Sequence, residues 1–187
     1  MFGKLFAILA CSILPQTYPA LAQNNPPGSA GTPGCGDPKI KFDVKTGNSG
    51  SVAKPDPGKA TVYFIEDDKN FNSIPKPTTR LGIDGEWAGA THGNSYFSVS
   101  VNPGVHHLCA SWQSSLPALG QGDQVAAAHF TAVPGGVYYF EVKNSLVARA
   151  GQPDSSGIAS ITLTPLDSDE GQLQANSFKL SVSQPKK

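Results

Sequence analysis

The repeat that governs this chain is two residues long, and it restricts the fold more than any other feature. A period of two places alternate side chains on opposite faces of a strand. Phe97, Val99 and Val101 alternate with Tyr96, Ser98 and Ser100, so one face of that segment is expected to be buried and the other wet. Val105 to Trp112 carries Leu108, Ala110 and Trp112 on one side, and Ile158 to Thr164 carries Ala159, Ile161 and Leu163. Ala60 to Ile65 is apolar on both faces, which suits a central strand.

Turn chemistry separates these runs at short, regular intervals. Asp84-Gly85 sits between Thr79–Ile83 and Trp87–Ala90, a pair that tolerates the positive φ angles of a tight hairpin. Asn102-Pro103-Gly104 presets one corner with proline and frees the next with glycine. Pro134-Gly135 joins Val125–Val133 to Val137–Lys143, and no helical period of useful length intervenes. Residues 59–166 are therefore expected to form a mostly antiparallel all-β domain, a sandwich or a barrel. In the tail, 167–187, Asp167 and Glu170 have the spacing of a helix start for a short helix carrying Leu173, whereas Phe178, Leu180 and Val182 alternate like a strand. Both readings of the tail stay open.

The opposite end reads as an address. Lys4, the apolar run Leu5 to Leu14, Pro15 and Ala20-Leu21-Ala22 have the order of a secretory signal peptide, 1–22, cleaved after Ala22 to leave Gln23. A lipoprotein reading through Cys11 leaves only Leu5 to Ala10 as apolar segment, so simple cleavage fits better. The run is well short of the ~20 residues of a transmembrane segment, and the mature protein is expected to be periplasmic or secreted. Residues 23–38 are too poor in apolar groups to order themselves and are expected to be a flexible leader. In the N-terminal arm, 39–58, Ile40, Phe42 and Val44 suggest an edge strand. Cleavage leaves the even pair Cys35 and Cys109, expected to form a disulfide in an oxidising compartment.

Charge excludes some partners. Of 14 basic and 14 acidic residues only Lys4 leaves with the signal, giving the mature chain a net charge of −1. No basic stripe is visible for nucleic acid or an anionic membrane surface.

Candidate chemistry is sparse. His106 and His107 are adjacent and point to opposite faces of a strand, while His107 and Cys109 share one. A metal site would need His107 with His92 or His129. His106, just after a turn, is expected to bond a nearby backbone carbonyl instead. Glu66-Asp67-Asp68 lacks the spaced acids of a calcium loop and is expected to be solvated. No Gly-x-Ser-x-Gly elbow occurs, so no catalytic residue and no cofactor are expected. Trp112 reads as core. Trp87 and Tyr96 are the candidate ligand-binding residues, an exposed aromatic pair on which a sugar ring or partner side chain stacks.

Ile83-Asp84-Gly85-Glu86-Trp87-Ala88-Gly89, Ser95-Tyr96-Phe97, Val101 to His106 and Val137-Tyr138-Tyr139-Phe140 together resemble a family of exported bacterial domains called domain of unknown function 2846. The same rhythm is similar to the small envelope β-domains named after the motif Pro-Glu-Gly-Ala. The resemblance implies a small antiparallel β-sandwich, immunoglobulin-like or transthyretin-like, in the envelope, gives Asp84, Gly85, Gly89, Pro103, Gly104 and His106 a structural role, and carries over no catalytic residues. The expectation is a non-enzymatic binding or structural module that recognises an envelope protein, glycan or lipid. The second expectation is a periplasmic metal-binding protein.

Overall fold

The computed structural model describes residues 35–49, 52–69, 71, 76–113, 124–148 and 157–187. The expected signal peptide and leader residues 23–34 lie outside them. In chain order the elements are β1 (Phe42–Ser49), β2 (Ala60–Asp67), β3 (Thr78–Ile83), β4 (Glu86–His92), β5 (Ser95–Val101), β6 (Gly104–Trp112), β7 (Val125–Ala132), β8 (Val137–Ala148), β9 (Gly157–Leu166), α1 (Ser168–Ser177) and β10 (Lys179–Pro185). They form a six-stranded sheet, β1-β10-β5-β2-β8-β9, and a four-stranded one, β4-β3-β6-β7. This is an all-β sandwich with a short C-terminal helix. Most neighbours are antiparallel, but β8 runs parallel to β2 and β10 parallel to β5. Between β2 and β8 the chain makes two excursions into the second sheet, β3–β4 and β6–β7, with β5 in the first sheet between them, and β8 then returns beside β2 in the same direction.

β2 is apolar on both faces because both are covered. Val62 and Phe64 enter the main core between the sheets with Leu81, Leu108, Trp112 and Phe140. Tyr63 and Ile65 face the other way, into a second cluster with Tyr96, Tyr139, Ala175 and Phe178. Helix α1 lies on that outer face, which corrects the expectation that the Tyr96 side of β5 is wet: Ser100 is exposed, but Tyr96 is 3% exposed.

The tail uses both of its signals in succession. The Asp167 side chain accepts the Glu170 backbone N–H at 2.9 Å and starts α1, and the chain then extends into β10. The helix turns Leu173 to solvent and seats Gly171 and Ala175 on the sheet. A Cβ at Gly171 would overlap the Tyr139 ring, so glycine is what lets the helix sit this close.

Cys35 and Cys109 form the expected disulfide, with Cα atoms 5.3 Å apart. The cysteines are 1% and 3% exposed. From Cys35 the arm crosses the second sheet on the face turned away from the core. Arg80 Nη1 donates to the carbonyls of Pro38 and Ile40 at 2.9 and 3.0 Å. The Gln113 amide bonds both backbone groups of Phe42. The described part of the supposed leader, Cys35 to Pro38, is thus packed against the domain, because β3 and β4 offer its backbone the partners its own side chains lack.

Candidate functional site

Five of the six motif residues, Asp84, Gly85, Pro103, Gly104 and His106, stand in or beside the β3–β4 and β5–β6 turns. Asp84 and Gly85 have φ of 53° and 88°, the positive pair that a tight hairpin needs. In this turn Asp84 Oδ1 accepts the His107 backbone N–H at 2.9 Å, and Oδ2 lies 2.7 Å from His106 Nδ1. His106 Nε2 lies 2.7 Å from the Asn102 carbonyl oxygen. A carboxylate and a carbonyl only accept, so this geometry favours the doubly protonated ring, in which both nitrogens donate. Partial burial works against the charge, but the Asn102 carbonyl and the Asp84 carboxylate outweigh it and raise the His106 pKa. Burial likewise opposes ionisation of Asp84, yet the His107 N–H and the His106 ring lower its pKa. The pair clasps the β3–β4 turn to the β5–β6 turn, where Pro103 and Gly104 stand. The carbonyl expected beside His106 is therefore found, and the Asp84 partner is an addition. Gly89 serves elsewhere: a Cβ there would come within 2.6 Å of the Phe97 ring and 2.9 Å of Ser183 Oγ.

A second polar group lies inside the core. Glu66 and Asp68 are both fully buried, which corrects the expectation of a solvated acidic loop; of the three acids Asp67 turns outward, 3.3 Å from Lys69 Nζ. The reason is the same period of two: Val62, Phe64 and Glu66 share the inner face of β2, so the alternation that buries the first two buries the third. Asn144 meets both acids from β8. The Trp112 indole N–H can only donate, and it lies 2.6 Å from Asn144 Oδ1, which fixes the amide. Asn144 Nδ2 then donates to Glu66 Oε1 at 2.6 Å and to Asp68 Oδ1 at 2.7 Å. Thr79 Oγ1 donates to Glu66 Oε1 at 2.7 Å.

Burial raises the Glu66 pKa well above the usual carboxyl range, and the neighbouring Asp68 charge adds to it; Thr79, Thr91 and Asn144 only partly offset this. Burial also raises Asp68, against Asn144 and Lys76. Both carboxyls are thus shifted toward their neutral forms, Glu66 the more strongly, and Asn144 is the neutral donor between them. The network ties β2, β3, β6 and β8 together. Sequence reasoning missed Thr79 and Asn144, yet the alternation that places Asn144 beside Val142 and Phe140 on β8 was there to be followed inward.

The candidate aromatic pair is not formed. Trp87 lies on β4 of the four-stranded sheet and Tyr96 on β5 of the six-stranded one, because Gly93-Asn94 carries the chain from one sheet to the other. Tyr96 packs beside Tyr63, with ring centroids 5.9 Å apart. Trp87 is half-buried under the arm: its Nε1 donates to the Asp37 carbonyl at 2.8 Å, and the Arg80 guanidinium lies 4.5 Å from its ring centroid.

Of the candidate metal partners, His129 stands directly across from His107 on the β6–β7 ladder. Both are exposed, with ring centroids 6.4 Å apart. His92 is on the far edge strand, near Thr78. Among the described residues there is no group of three or more His, Cys, Asp or Glu placed to hold a metal ion.

No family model matches the chain, and no curated protein and no solved structure is significantly similar to it.

Proposed function

We propose that this chain is an exported, non-enzymatic binding or structural module of a bacterial cell envelope, sent to the periplasm or beyond by residues 1–22. The observation that supports this reading is the buried Cys35–Cys109 bond. Such bonds form and persist in oxidising compartments, and this one fixes the arm across the second sheet. The resemblance to domain of unknown function 2846 belongs to the same proposal, and the clasp between Asp84 and His106 supports a structural role for those two motif residues. Cell fractionation with thiol trapping tests it: the chain should appear outside the cytoplasm with both mature cysteines blocked. A reduced cytoplasmic protein would refute it.

The His107–His129 rung favours a second reading, a periplasmic metal-binding protein. With Zn–N bonds of about 2.0–2.1 Å, two imidazoles on a tetrahedral ion have centroids about 5 Å apart. The observed 6.4 Å needs a small side-chain rotation to close. Equilibrium dialysis against zinc should give binding that His129→Ala removes and His92→Ala leaves. Stoichiometric metal held in this way would displace the first reading.

A further inference from the structure

Pairing of β1 with β10 brings both ends of the described chain onto one surface. Opposite residues on an antiparallel ladder share a face. Asp43 stands across from Gln184, and Lys45 from Val182, and these four line a shallow depression. Beyond it the Lys186 backbone N–H donates to the Lys41 carbonyl at 2.7 Å, which carries the pairing onward. Lys39, Ile40, Lys41, Pro185, Lys186 and Lys187 line an open groove there. Five lysines thus adjoin, offset by Asp43, which lies 3.1 Å from Lys186 Nζ. Ile40 and Val182 are 40% and 52% exposed among them. The linear sequence hides this patch because its lysines come from residues 39–45 and 186–187.

We propose that the β1–β10 face docks the protein on an anionic phospholipid bilayer, an inference that rests on the exported envelope reading and names the partner of that module. Clustered lysines follow the negative potential of such a surface, each strengthening binding by about fivefold. Exposed aliphatic side chains between them enter the headgroup boundary, the mixed chemistry of interfacial binding.

The test uses purified mature protein sedimented with vesicles of phosphatidylcholine alone or mixed with phosphatidylglycerol. Binding is expected only to the mixed vesicles and should weaken as salt is raised. The double variant Lys41→Glu/Lys45→Glu should bind at least about tenfold more weakly. Lys59→Glu/Lys143→Glu reverses the same charge beside β2 and on β8, outside this lysine cluster, and should bind like the parent. Equal sedimentation with both vesicle types, no sedimentation with either, or equal weakening by the two double variants would overturn the proposal. Because the vesicle assay does not depend on export, its failure leaves the envelope reading standing, and a cytoplasmic location leaves the vesicle result standing.

Discussion

At His106 a single proton links two turns. Its pKa is raised in the folded state, so its contribution to stability is fully present below the ordinary value near 6.5 and is lost as pH rises through the higher folded value. The ring side chain is 12% exposed and Asp84 47%, so solvent screens the pair, and we assign it about 1 kcal/mol. The melting temperature of the parent should fall through that window, and His106→Gln should flatten the fall, as read by thermal denaturation across pH. Glu66 acts with the same sign for another reason. Its raised pKa means that the folded state holds a proton the unfolded chain releases, so stability drops as pH climbs above the ordinary carboxyl value. Glu66→Gln keeps a neutral group in place, and chemical denaturation should find it at least as stable as the parent above neutral pH. Glu66→Ala strands Thr79 and Asn144 and should cost about 3 kcal/mol.

Elements show why some of the fold was legible and some was not. Hairpin β3–β4 could be read because Asp84-Gly85 is local chemistry, and β2 because a strand apolar on both faces must be central. The sheet to which each strand belongs depends on contacts far apart in sequence, and there the reading of Trp87 with Tyr96 failed. The tail was undecided because each half of it carried a true signal, the helix start at Asp167 and the alternation from Phe178. Gly171→Ala tests the docking of α1. Helix propensity alone favours alanine by about 1 kcal/mol, yet its methyl would strike Tyr139, so denaturation should show a loss of about 1–3 kcal/mol. Trp87→Ala tests the arm. Losing the Asp37 bond and the Arg80 stack should cost about 1–3 kcal/mol, less than a fully buried tryptophan, and should make the disulfide easier to reduce.

For the whole molecule, the decisive connection is the bond between Cys35 and Cys109, separated by 74 positions. Closing so long a loop stabilises the fold by about 4 kcal/mol in the chain-entropy model. It holds the arm where Arg80 and Gln113 receive it, and the arm leads into β1, which pairs with β10. That sequence of contacts makes the β1–β10 face from two remote segments, and a reading of the linear chain could see the cysteine pair but not the surface it helps assemble. Export and oxidation of the chain are the two conditions on which this assembly depends. Intact-mass measurement of the protein recovered from expressing bacteria, alkylated under denaturing conditions without reductant, tests both parts together. We predict a chain beginning at Gln23 that carries no alkyl group on Cys35 or Cys109. A chain that keeps residues 1–22, a lipidated form beginning at Cys11, or a mature chain alkylated at both cysteines would contradict it.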